Sequence, residues 1–78
     1  MFKAVDENRR YVIQGIIVRI MKVRKTLEGP ALIQEVISQV SREFTPKIQD
    51  IRKAIETLIE REYIERVEGQ RNTFKYLP

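Results

Sequence analysis

The run from Thr45 to Glu62 constrains the rest of the chain most. Ile48, Ile51, Ile55, Leu58 and Ile59 recur at helical spacing, while the charged residues Lys47, Asp50, Arg52, Lys53, Glu56, Glu60, Arg61 and Glu62 fall between them. At about 100° per residue that spacing makes one apolar stripe along a helix. Such a helix is stable only where its stripe is covered, so the other residues must supply an apolar partner. Thr45-Pro46 gives the expected start, an N-cap followed by proline at the first helical position, and the helix is expected to end near Arg61.

Two earlier helices are the natural cover. In the first, Asp6 is a reasonable N-cap with Glu7 in the first turn, both suited to the positive end of the helix dipole. Ile13, Ile16, Ile17 and Ile20 share one side, and the helix should run to about Met21 or Arg24. Residues 1–5 carry no clear periodicity and read as a tail or a strand entering the domain, which leaves residues 6–78 as the domain itself. Gly15 costs about 1 kcal/mol relative to alanine inside a helix. Drift or close packing against another element would account for it. Tyr11 and Val18 fall on the side opposite the isoleucines, which asks for a second packing partner.

Thr26-Leu27-Glu28 reads as a short extended link, enough for one bridge of a sheet, and Gly29-Pro30 opens the next helix with proline in its first turn. Leu32, Ile33, Val36, Ile37 and Val40 follow helical spacing, with Phe44 closing the stripe, while Glu35 and Gln39 should point to solvent. Beyond the third helix, residues 63–67 and 73–77 are short β-prone runs separated by the polar loop Glu68-Gly69-Gln70-Arg71-Asn72. Three helices and a hairpin, with a short extended link after the first helix, is the order of a small α+β winged-helix domain in which the hairpin is the wing. A chain of 78 residues holds one such domain. It buries only about 60% of the surface its unfolded form exposes.

Several chemistries are closed to this chain. It contains no cysteine and no histidine, so a zinc site of the thiolate or imidazole type, a disulfide frame and a histidine-served nucleophile have no residues to use. No Gly-rich phosphate loop is present, and the carboxylates of the third helix alternate with cations as on a solvated face. No active site and no cofactor are expected. The longest apolar run, Ile16-Ile17-Val18, is far too short to cross a bilayer.

Charge is distributed unevenly. Residues 9–25 hold six cations (Arg9, Arg10, Arg19, Lys22, Arg24, Lys25) and no acid, so the first helix is the electrostatic feature. Winged helices often lay the third helix in the DNA major groove, which makes DNA binding the serious competitor for function. Residues 47–62, however, carry four cations and four acids, a poor match to a phosphate-lined groove.

Within the basic helix, Lys22 lies about 180° from Ile13 and should face water. Arg19 and Lys25 are its expected neighbours on the helix, which puts its amine in a positive field. Physics alone makes it a solvated end that complements the dipole. The segment Ile17-Val18-Arg19-Ile20-Met21-Lys22-Val23-Arg24-Lys25, however, resembles the modification-site segment of the cullins, scaffold subunits of multisubunit RING-type ubiquitin ligases. Ile55-Glu56-Thr57-Leu58-Ile59-Glu60-Arg61-Glu62-Tyr63-Ile64-Glu65-Arg66 and the ending Thr73-Phe74-Lys75-Tyr76-Leu77 are also similar, in the same order and spacing.

The resemblance implies the C-terminal winged-helix domain of a larger, non-catalytic scaffold. Lys22 would accept a Rub-type ubiquitin-like modifier through an isopeptide bond (neddylation), which activates ubiquitin transfer. Arg19, Arg24 and Lys25 would help dock acidic faces of the modifier or its machinery. The implied partners are the modifier with its conjugating enzyme, a RING-box subunit, a neddylation co-ligase and the rest of the scaffold, in an intracellular setting of cytoplasm and nucleus. A DNA-binding winged helix, or an interaction domain without a modified lysine, is the alternative. Gly15 and Ile16 depart from the family, which more often has alanines there, and Pro78 stands where alanine is usual.

Overall fold

Apolar stripes on three helices meet over one face of a small sheet in a computed structural model that describes residues 2–78, with side chains from residue 8 onward. In chain order the elements are α1 (Phe2–Arg24), β1 (Thr26–Glu28), α2 (Gly29–Val40), α3 (Ile48–Glu60), β2 (Ile64–Val67) and β3 (Gln70–Tyr76). The sheet is antiparallel with order β1-β3-β2. Three helices, a strand between the first two and a terminal hairpin make this an α+β winged helix, as the element order predicted.

Ile13, Ile17, Ile20 and Met21 of α1 are buried against Leu32, Val36 and Val40 of α2 and Ile51, Ala54, Ile55 and Leu58 of α3. Ile64 and Phe74 close the core from the sheet, and no polar or charged side chain is buried among the described residues. Each such aliphatic side chain contributes roughly 1.5–3 kcal/mol of burial. Ile16, Val18 and Phe44 are partly buried against this core. Tyr11 is 64% exposed, so most of its side chain is left uncovered. A Cβ on Gly15 would meet nothing within 4 Å, which removes close packing inside the domain as the reason for that glycine.

Three boundaries differ from expectation. Helix α1 already runs at Phe2, so residues 2–5 are neither tail nor strand, Asp6 lies inside the helix rather than capping it, and Met1 lies outside the described residues. Phe2-Lys3-Ala4-Val5 contains no glycine or proline, and extending a formed helix costs far less than nucleating one. Helix α3 starts at Ile48, with extended Lys47 at its N-cap, so Thr45-Pro46 belongs to the preceding link. The Pro46 ring is buried, and the Lys47 carbonyl accepts the first helical bonds, from Asp50 N–H at 3.0 Å and Ile51 N–H at 3.1 Å.

Ile48, at the very start of α3, lies beyond the covered part of the stripe and is 51% exposed, not core. The wing loop is two residues, Glu68-Gly69, instead of five, with Gly69 at φ 80° where a left-handed turn residue is needed. Gln70, Arg71 and Asn72 are exposed at the strand tip, where backbone pairing proceeds with polar side chains. The register shifts between Arg66, opposite Phe74, and Val67, opposite Gln70.

The turns out of α1 and α3 each use a non-glycine residue at positive φ. At the end of α3, Glu62 has φ 65°, its N–H donates to the Ile59 carbonyl at 3.0 Å, and Tyr63 N–H donates to the Leu58 carbonyl at 2.9 Å. This is the paired 5→2 and 6→1 closure of a Schellman motif with a side chain where glycine is usual. At the end of α1, Lys25 has φ 70° and its N–H donates to the Met21 carbonyl at 2.7 Å. Gly29 serves another need: a Cβ there would stand 2.6 Å from Asn72 Oδ1, so the small residue lets the wing approach the start of α2.

Candidate functional site

The end of α1 is fixed from two sides. Burial of Ile20 (3% exposed) and Met21 (0%) pins the last turn to the core, and at about 100° per residue this turns the next residue, Lys22, outward. Lys22 is exposed, as the periodicity predicted, and beside it Val23 is 75% exposed. The Lys25 carbonyl then accepts Tyr76 N–H at 2.8 Å, which ties the helix end to β3. Leu27 pairs with Phe74 directly below it, continuing the seam. A lysine on this turn therefore stands on a backbone held by core packing, a left-handed cap and a strand bond.

The other selected cations are not equivalent. Arg24 Nη2 donates to Glu35 Oε1 of α2, so Glu35 is an ion-pair partner and not simply solvent-facing. Lys25 has left the helix at φ 70°, so it is not the helical neighbour of Lys22 that the spacing suggested. Its Nζ lies 5.3 Å from the Tyr76 ring centroid, within cation–π range. Arg19 is exposed and lines a shallow groove with Tyr11, Gly15, Gln39 and Glu43. Among the described residues Lys22 and Arg19 have no ion-pair partner, whereas Arg24 and Lys25 are each held by a neighbour.

Glu35 and Tyr76 belong to this site without any local mark of it in the sequence. Glu35 sits between apolar positions of α2 and gave no sign of which helix end it would reach. Tyr76 lies more than fifty positions along the chain from Lys25 and reaches it only because β3 docks beside β1.

Two of the wing's cations are engaged within the domain. Arg66 Nη2 donates to Glu56 Oε2 of α3 at 2.5 Å while its guanidinium lies 5.8 Å from the Phe74 centroid, and Lys75 Nζ is 2.9 Å from Glu65 Oε2. Two of the cations that would approach a phosphate backbone are thus engaged within the domain, and α3 itself carries two cations against three acids. No group of His, Cys, Asp and Glu able to hold a metal ion occurs among the described residues, and no helix is long and apolar enough to cross a membrane.

Fold and site together define a winged-helix domain whose first helix presents an exposed lysine on a rigid end. Within that class the chain belongs to the cullins: the family model described as the cullin protein neddylation domain matches residues 8–70. Cullin-1 of Dictyostelium discoideum is 49% identical over 75 residues, covering 96% of this chain and 10% of that protein. Cullin-1 of Caenorhabditis elegans is 48% identical over 75 residues with the same coverage. Cullin-2 of Arabidopsis thaliana is 49% identical over 73 residues, or 94% of this chain. The chain thus spans about one tenth of the length of these relatives. Among solved structures, the work described as "A Dual E3 Mechanism for Rub1 Ligation to Cdc53: Dcn1(P)-Cdc53(WHB)" contains a chain that superposes with a TM-score of 0.93 at 30% identity, covering 97% of this chain and 87% of that one.

Proposed function

We propose that this domain is a regulatory platform of a cullin scaffold in a multisubunit RING-type ubiquitin ligase, and that Lys22 is the acceptor of a Rub-type modifier. The observation that carries the reading is the exposed Lys22 on the fixed end of α1, inside the stretch matched by the neddylation domain. The Nζ amine attacks the thioester carbonyl that joins the modifier's C-terminal glycine to its conjugating enzyme. An isopeptide bond forms as the C–S bond breaks; the enzyme's thiolate leaves and the amine's proton is lost to solvent or to a base of the ligation machinery. The domain supplies position and an accessible nucleophile, and catalysis belongs to its partners.

The partners follow from the family. A conjugating enzyme and RING-box subunit deliver the modifier, and the likeness to the Cdc53 chain in a complex with Dcn1 supports a co-ligase. Arg19, unpaired among the described residues, offers charge to an acidic face, while Arg24 and Lys25 add to the same positive field from tethered positions. Attachment at a rigid helix end makes the modifier's position follow the domain's, so that conjugation biases how domain and RING sit on the scaffold.

A reconstituted conjugation reaction tests this, with the modifier, its activating and conjugating enzymes, the RING subunit and a scaffold fragment containing this domain. Intact mass and peptide mapping should find one adduct, at Lys22, that is absent in Lys22→Arg. The guanidinium stays protonated and is a poor nucleophile while the charge is kept. An adduct mapping to Lys25 in both proteins moves the acceptor. No adduct, with the machinery active on another cullin, leaves an interaction domain without a modified lysine.

A further inference from the structure

Thr45 is exposed in the link between α2 and α3, and the structure gives its hydroxyl no partner: it neither caps α3 nor appears in a side-chain hydrogen bond among the described residues. Around it lies a cavity of about 160 Å³ into which α1 sends Arg9 and Arg10 and the link sends Lys47. The Arg9 guanidinium lies 5.1 Å from the ring centroid of Phe44, the residue before Thr45. Asp50 is the one acid lining the cavity, so three cations face a single carboxylate. None of these cations has an ion-pair partner among the described residues. A hydroxyl set among three cations and one carboxylate is arranged for a dianion on that oxygen. Pro46 follows directly, the residue that a proline-directed kinase requires after its acceptor.

We propose that Thr45 is a phosphorylation site for a proline-directed kinase, and that Arg9, Arg10 and Lys47 hold the resulting phosphate. Thr45 Oγ attacks the γ-phosphorus of a nucleoside triphosphate. The Oγ–P bond forms as the bond to the β,γ-bridging oxygen breaks, the diphosphate leaves with that electron pair, and the hydroxyl proton passes to the kinase's carboxylate base. The product oxygens, carrying about −1.5 to −2 charge, then accept charge-assisted hydrogen bonds from the two guanidiniums and the amine. This joins the middle of α1 to the α2–α3 link. The site lies about 20 Å along α1 from Lys22, taking 1.5 Å per residue from Arg9, so it is separate from the acceptor. Phosphorylation requires the link to open, because Pro46 is buried. Among the described residues neither the Thr45 nor the Lys47 N–H donates a backbone bond, so that opening breaks none on their donor side.

The test treats the chain with a proline-directed kinase and ATP, maps the phosphate by mass, and compares melting curves of modified and unmodified protein in low and high salt. The expected result is one phosphate at Thr45 and a Tm higher by about 4 °C or more at low salt. The rise should shrink in high salt and be lost in Arg9→Gln/Arg10→Gln/Lys47→Gln, measured against that variant's own unmodified baseline. Single Arg10→Gln, a milder change, should lose part of it. No phosphate at Thr45, or phosphate there with an unchanged or lower Tm, overturns the proposal.

Discussion

Replacing Glu62 by glycine should stabilise the domain, although it removes a charged side chain and adds backbone freedom. Glu62 holds φ 65° at the Schellman closure of α3. An L-residue in that conformation is disfavoured by about 1–2 kcal/mol because its Cβ crowds the following carbonyl. Glycine removes that crowding but gains unfolded-state entropy, which at an unstrained position destabilises by about 0.4–1 kcal/mol. The difference leaves a net gain of about 0.5–1 kcal/mol. Glu62 is exposed and has no ion pair among the described residues, so no contact offsets it. At about 4–8 °C per kcal/mol for a domain this size, Tm should rise by roughly 2–8 °C. Thermal and urea denaturation followed by circular dichroism would measure it, with Glu62→Ala as the control that keeps a Cβ and so keeps the crowding. If the glycine variant melts at or below the wild type, or no higher than the alanine variant, the assignment of strain to this turn is wrong.

Other substitutions test other parts of the reasoning. Gly15→Ala, where a Cβ meets open space on an exposed helix face, should stabilise by about 0.5–1 kcal/mol, and a loss in urea denaturation would mean that the space is not open. Ile55→Ala, at 4% exposure in the core, should cost about 2–5 kcal/mol, and a Tm within a degree of wild type would take Ile55 out of the core. Glu35→Gln should cost no more than about 1 kcal/mol, and the difference should vanish in high salt because both partners are partly exposed. A salt-independent loss would point to packing instead of charge.

How much was legible in the sequence depended on how locally each feature is determined. Ile51, Ile55 and Leu58 announced their helix because a stripe is written at fixed spacing, and the same spacing turned Lys22 away from Ile13 into water. The wing strands showed themselves through Tyr, Ile, Val, Thr and Phe. Thr45-Pro46 misplaced the start of α3 because a capping pair carries no information about whether its proline ring will be buried. Asp6 misled in the same way: a good cap is also a tolerable helix residue once the turn before it has formed. The left-handed Lys25 and Glu62 were invisible, since neither position carries the glycine or asparagine that marks such a turn. At the candidate site, the exposed lysine was readable and its surroundings were not. Whether Arg24 finds Glu35, or Lys25 finds Tyr76, is decided by how α2 and β3 dock.

Strand β3 is the central strand of the sheet, and through Tyr76 it closes the end of the helix that displays Lys22. Translation proceeds from the N-terminus, so a ribosome completes α1 long before it makes that strand. A nascent chain therefore exposes the lysine early, but on a helix end that still lacks its strand bond and aromatic cover. The finished geometry is reached only once β3 has emerged and slotted between β1 and β2. The rigid helix end is therefore a property only of chains in which β3 is already paired.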